Sequence, residues 1–220
     1  MFKTETHLHT KEVSPCGHLT ASEMVKKYFE QGYKTLIITD HLEEYTIGTY
    51  FELNWEEKVD KFLSGYAAAK QEGDRLGVNV LFGAEIRFTG EYNHYLVYGI
   101  TKEFLIKHPD IYNYDLEKFF KISRENGVFI VQAHPYRDGR NYPTPNFVDG
   151  VEVYNSNPRH EDYNEKAELL AKEYNLYGVS GSDAHRDKDV AKSGIITKNE
   201  IKTIQDFITA VKNGNIEIIR

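Results

Sequence analysis

His7 and His9, in the stretch TETHLHT, are the first residues whose types and spacing suit chemistry. On an extended chain, residues i and i+2 share a face and lie roughly 6.6 Å apart along the axis, so two imidazoles can converge on one ion. Phe2, Thr4 and Thr6 alternate with Lys3, Glu5 and His7, which makes 2–8 a strand. An HxH pair is also an ordinary feature of N-terminal loops. Its reading as a metal corner therefore requires further ligands elsewhere in the chain.

The chain offers them where apolar runs turn polar. KTLIITDH ends in Asp40 and His41, GAEI carries Glu85, HYLVYGI opens on His94, QAHP carries His134, and GSDAH carries Asp183 and His185. Imidazole and carboxylate together suit zinc, manganese or iron, and the lack of a thiolate partner argues against a structural cysteine-type zinc. The set exceeds what one four-coordinate ion needs. A cluster of two or three divalent ions follows, with Glu85 as the best bridge. The bland alternative is that each is a hydrogen-bonded histidine, a carboxylate or a helix cap.

The elements that must position these residues alternate. Strands are predicted at 2–8, 34–41, 78–88, 94–100, 128–135, 148–156 and 176–185, and a terminal apolar run, IEIIR, closes the chain. Helices are predicted at 19–32, 54–77, 115–127, 161–175 and 199–214, the first with a capping box of Thr20 and Glu23. This order predicts an α/β fold with a parallel sheet, closed as a barrel. Barrel active sites lie at the strand C-terminal ends. His94, at a strand start, reaches that rim only through a loop or a reversed strand.

Composition bounds the rest. The chain has 220 residues, enough for a single domain over 1–220, with 40% hydrophobic and 28% charged residues. No apolar run matches a membrane span, no leader-type h-region opens the chain, and the lone Cys16 fits a reducing cytoplasm. A net charge of −7 makes extended nucleic acid an improbable partner and leaves small molecules open. Oligomeric state is not legible.

The motifs THLHT, ITDH, GAE, AHP and GSDAH, in this order from residue 5 to about 185, resemble those of the PHP (polymerase and histidinol phosphatase) family. The resemblance implies a distorted seven-stranded (β/α) barrel, TIM-like, with a metal cluster at the strand C-terminal ends. It implies hydrolysis of phosphate esters, as by histidinol phosphate phosphatases, nucleotide phosphodiesterases, phosphotyrosine phosphatases and polymerase-associated exonucleases. Carried over by motif, a first metal would take His7, His9, Glu85 and Asp183. A second would take His41 and His185. A third would share Glu85 and take His134 and His94. One departure stands out: many members have a Ser-Asp-Gly after the first motif, whereas this chain reads SPCGH. His18 is the preferred substitute for the missing Asp, with Cys16 as the alternative.

The expected activity is that of a small-molecule phosphatase of histidinol-phosphatase type, acting on a phosphate monoester through a metal-bound water. Phosphate also calls for a cationic fork. Arg137 is the first choice, with Arg140, Arg159 and Arg186 also near the rim and Asn155 as a hydrogen-bonding partner for substrate or ligand. Asp40, beside His41, is expected to orient a ligand rather than act as the base. The aromatic-rich connection 44–55 is the expected seat of substrate selectivity. A nucleotide phosphodiesterase and a non-catalytic metal-binding scaffold are the competing readings.

Overall fold

A computed structural model of the chain describes residues 1–220. Ten strands form one sheet: β1 (Phe2–Leu8), β2 (Tyr33–Ile38), β3 (His41–Leu42), β4 (Asn79–Arg87), β5 (His94–Tyr98), β6 (Phe129–Ala133), β7 (Gly150–Asn155), β8 (Tyr177–Gly181), β9 (Gly194–Thr197) and β10 (Glu217–Ile219). Helices α1 (Ala21–Glu30), α2 (Trp55–Phe62), α3 (Ser64–Leu76), α4 (Lys102–Lys107), α5 (Leu116–Asn126), α6 (Asn164–Glu173) and α7 (Ile204–Lys212) connect them. The strand order is β10-β9-β1-β2-β4-β5-β6-β7-β8, with β3 paired to β4 outside this path. Nine strands thus lie along this path where seven were expected, and the sheet is nearly closed as a barrel.

The sheet is mixed, not wholly parallel. β1 with β2, β2 with β4, β6 with β7 and β7 with β8 are parallel, while β4–β5, β5–β6, β1–β9 and β9–β10 are antiparallel. The reason at β5 is length. Residues 88–93 are too few for a parallel crossover, so the chain returns as a hairpin. Reversal puts His94, the first residue of β5, at the same rim as the ends of its neighbours.

Closure occurs just past β8. Leu8 bridges Ala184 in parallel, the His9 N–H donates to the Ala184 carbonyl at 3.0 Å, and the Thr6 hydroxyl donates to the Ser180 carbonyl at 2.8 Å. Gly181 permits this approach: a Cβ there would lie 2.4 Å from the His7 Cβ. Glu5 fastens the seam from below. One of its oxygens accepts N–H groups of Thr6, His7 and Ser182, and the other accepts the Tyr28 hydroxyl at 2.7 Å.

Apolar side chains fill the barrel below the rim. Ile37, Leu96, Tyr98, Val131, Val179 and Ile195 pack with Phe207, Ile208 and Val211 of α7, which closes that end. On the outside, Met24, Val25 and Tyr28 of α1 and Ala69 of α3 pack on Leu36, Ile38 and Val80. The Thr20–Glu23 capping box is present at the start of α1. The helix expected over 54–77 is two. Leu63 (φ −74°, ψ −7°) ends α2 and starts α3. The new axis brings Gly65 against the rim, where a Cβ would sit 2.2 Å from Thr10 Oγ1 and 2.6 Å from Asp40 Oδ2. The helix expected over 199–214 begins only after its Thr203 cap, and β9 precedes it as a strand without a sequence prediction.

Gly181→Ala tests the seam. Overpacking of this kind costs about 1–3 kcal/mol, so chemical denaturation should show a loss in that range. Leu169→Ala, at an exposed position of α6, should stay within about 0.5 kcal/mol.

Candidate metal centre

The rim gathers every motif residue in one place. His7 and His9 come from the end of β1, His41 from β3, Glu85 from β4, His94 from the start of β5, His134 from the residue after β6, and Asp183 and His185 from the turn after β8. His7 and His9 are fully buried and their Nε2 atoms lie 3.1 Å apart. Glu85 is central. Its Oε1 lies 3.0 Å from His134 Nε2 and 3.4 Å from His7 Nε2, and its Oε2 lies 2.8 Å from His41 Nδ1 and 3.4 Å from His9 Nε2. Asp183 Oδ1 lies 3.4 Å from His7 Nε2 and 3.3 Å from His9 Nε2.

Four overlapping sets have ligand atoms within 4.8 Å of one another: His9, His41 and His185; His7, His9 and Glu85; His7, His134 and Asp183; and His41, Glu85 and His94. The grouping differs from the one the motifs imply, since His9 joins His41 and His185 as well as His7. His41 Nδ1, His94 Nδ1 and Glu85 Oε2 are buried and make no well-aligned hydrogen bond, although His41 Nδ1 and Glu85 Oε2 are only 2.8 Å apart. Buried polar atoms are rarely left so. These three belong to one set, so a shared cation would satisfy them all, and the donor set of imidazole and carboxylate fits a divalent ion.

A surrounding layer aims the ligands. His7 Nδ1 donates to Glu152 Oε1 at 2.9 Å, and His185 Nδ1 donates to the Asp183 carbonyl at 2.9 Å. Ser14 Oγ donates to Asp40 Oδ1 at 2.8 Å, accepts the His41 N–H at 3.1 Å and lies 3.4 Å from His9 Nδ1. With Nδ1 engaged in each of these rings, the Nε2 atoms of His7, His9 and His185 face inward. Asp40 thus supports His9 and His41 through Ser14, and Thr10 holds it from the other side at 2.6 and 2.7 Å. Glu152 also accepts the His134 N–H and the Asn155 amide. His134 (φ 28°) and Asp183 (φ 48°) adopt left-handed backbone. Such strain costs of order 1–3 kcal/mol per residue and gathers at functional sites.

Neighbouring groups set the charge of each member. Burial alone would raise Glu85, yet His94, His7 and His41 hold its carboxyl well below the usual range. Burial likewise works against Asp183, and Arg137 and His7 keep it ionised. Burial and the neighbouring His185 and His41 push His9 well down, which keeps it neutral and fit to ligate. Asp40 is pushed up to about 6 by burial, against its hydrogen bonds from Thr10 and Ser14.

The cationic candidates fare differently. Arg137 does not present a free fork: its Nε binds Asp162 at 2.7 Å and its Nη2 binds Asp183 Oδ2 at 2.6 Å. Arg159 binds Asp189 at 2.6 and 2.7 Å, and Asp189 in turn accepts the N–H groups of His185 and Arg186. Both arginines therefore brace ligand-bearing backbone or side chains. Arg186 and Arg140 are exposed and form no ion pair. Asn155 is buried and donates to Glu152 and, at 3.4 Å, to Asp183. His18 and Cys16 are both exposed and neither joins a ligand set, but the Cys16 thiol lies beside His185 and His41. Burial would raise that thiol, but the two imidazoles bring it down to about 6.

Glu152, Ser14 and Asn157, whose amide donates to Asp183 Oδ2 at 3.2 Å, escaped the sequence reading. The available signal for Glu152 was an acid between Val151 and Val153 in a buried strand. A cleft of about 530 Å³ beside α7 touches Met1 and so lies at the opposite end of β1 from the histidines.

A family model described as PHP-associated matches residues 161–216. A two-domain protein from Bacteroides vulgatus containing a predicted PHP-like metal-dependent phosphoesterase superposes with a TM-score of 0.71 at 17% identity, over 99% of this chain and 64% of that one. The chain thus spans less than two thirds of that relative. A protein from Bifidobacterium adolescentis, described as a metal-dependent phosphoesterase, gives 0.57 at 13% identity over 98% of this chain and 97% of that one. An amidohydrolase from Chromobacterium violaceum, with bound sulfate and no metal, gives 0.62 at 16% identity over 99% and 98%. Identities this low establish a shared fold. No curated protein matches the sequence.

Two measurements probe the layer around the ligands. Glu152→Gln should weaken zinc binding about 10- to 100-fold, read by competition with a chromogenic chelator. In metal-free protein, alkylation of Cys16 should titrate with a midpoint near pH 6, slow below it and fast above it, instead of near the ordinary 9.0. Added zinc should protect the thiol.

Proposed function

We propose that this chain is a PHP-domain protein, as its PHP-associated match, its ordered motifs and its shared fold support, and that it hydrolyses phosphate monoesters of small molecules with the help of two or three divalent ions. The observation that carries the reading is the buried Glu85, flanked by imidazoles on both oxygens, with ligand atoms of His41 and His94 gathered against it in one set.

His7, His9, His41, Glu85, His94, His134, Asp183 and His185 would hold the ions, with Cys16 the nearest candidate for the place of the missing Asp. Bound divalent ions supply a water that ionises near neutral pH and positive charge for phosphate oxygens. The chain does the orienting. Glu152, Ser14 and Asp40 fix the imidazole tautomers, and Arg137 holds Asp183 so that Oδ1 stays turned inward. Arg186 is the exposed arginine next to a ligand and the best remaining cation for the phosphate. Zinc, manganese and iron all suit the donors. No helix is long and apolar enough to cross a membrane.

An aryl phosphate should be turned over by protein loaded with zinc, manganese or iron, and EDTA should abolish the turnover. A bis-aryl phosphodiester should be a poor substrate. Preference for the diester would move the assignment to a phosphodiesterase, and loss of both metal and turnover would leave a scaffold. His134→Ala should lower turnover by at least about 100-fold with an unchanged melting temperature. Unaltered turnover in that variant would remove His134 from the centre.

A further inference from the structure

The rim continues outward from the histidines into a second cleft. Register leads there. His41 pairs with Glu85 and Leu42 with Ile86 between β3 and β4, and His94 pairs with Arg87 between β4 and β5. Side chains alternate along a strand, so Arg87 stands on the face of Glu85, roughly 6.6 Å farther along. Its Nε binds Glu43 Oε2 at 2.5 Å, and its guanidinium carbon lies 5.1 Å from the centre of the Tyr45 ring. Residues 43–45 and 87–92 together enclose a cleft of about 180 Å³.

Two properties of this cleft select a ligand. The first is aromatic exposure. Tyr45 is 70% exposed and Tyr92 60% exposed, and both line it; Tyr142, 48% exposed, donates its hydroxyl to Glu91 at the edge. Three half-exposed rings from three separate loops at one mouth form a surface on which a flat group can stack. The second is charge. Glu43, Glu44 and Glu91 face a single guanidinium, Arg87, already paired with Glu43. The net negative lining disfavours any second anion on the ligand. The volume is below the roughly 300 Å³ at which sites for drug-sized ligands begin, so it suits one ring rather than a nucleoside.

We infer that this cleft is the subsite for the organic half of the ester, and that it takes a single aromatic ring bearing no second anionic group. The inference rests on the reading that phosphate occupies the adjacent metal centre. It assigns specificity to Tyr45 and Tyr92, and it extends the selectivity expected of the 44–55 connection to the β4–β5 hairpin.

Calorimetric binding to zinc-loaded protein tests it with phosphonates, which are not hydrolysed. Phenylphosphonate should bind about tenfold more tightly than methylphosphonate. The Tyr45→Ala/Tyr92→Ala double variant, altered only at exposed positions, should lose that margin and keep its affinity for methylphosphonate. 4-Carboxyphenylphosphonate should bind more weakly than phenylphosphonate. Equal affinity for the phenyl and methyl compounds, a margin that survives in the double variant, or no binding of either would overturn the subsite. A tyrosine-dependent margin in a protein that hydrolyses no aryl phosphate would support the subsite and reject the hydrolase reading. Aryl phosphate turnover without the margin would do the reverse.

Discussion

The seam between β1 and the chain just past β8 is the contact on which the rest depends. Leu8 pairs with Ala184, and the ligand pairs His7/His9 and Asp183/His185 straddle that bridge. The hydrogen bonds that close the sheet are therefore the ones that bring an Asp183 oxygen to 3.3–3.4 Å from the two imidazoles. Glu5 makes closure specific. A buried carboxylate without partners would be costly, and here its two oxygens accept three backbone N–H groups and a tyrosine hydroxyl. Its partners come from both sides of the seam, so they are satisfied together only when the barrel is shut.

Ionisable groups at this density must then be arranged so that their charges cancel. Glu85 and Asp183 are buried yet held ionised by imidazoles and by Arg137, and His9 is held neutral between two other histidines. The same bonds that settle charge settle orientation. Glu152 and the Asp183 carbonyl engage the Nδ1 atoms of His7 and His185, which leaves the opposite nitrogens to converge. Arg137 and Arg159, attractive as phosphate ligands by position, are drawn into this network because a buried carboxylate is a nearer partner than a substrate at the mouth.

Apolar packing sets where the polar cluster can be. α7 fills one end of the barrel with Phe207, Ile208 and Val211, against Tyr98 and Val131. The opposite end holds the histidines and opens toward the loops. The β5 reversal matters here, because it adds His94 to the rim and sends the 88–93 turn outward beside residues 43–45. One topological feature thus contributes both a ligand and a wall of the neighbouring cleft.

Much of this was legible in the order of residues. Apolar runs ending in His, Asp or Glu marked the strands and nearly every rim ligand, because a barrel exposes its chemistry where hydrophobic strands stop. Short-range signals such as the Thr20–Glu23 box held, since they depend only on neighbours along the chain. Strand direction, the added strand β9 and the break at Leu63 were not legible, for they depend on loop length and on packing against distant residues. The division of labour at the rim was hidden for the same reason. A histidine in a motif is visible in one dimension, but the carboxylate that orients it, as Glu152 orients His7 from 145 residues away, is chosen by the tertiary fold alone. Sequence determined which residues could ligate; burial and hydrogen-bond geometry decided which point inward and which brace them.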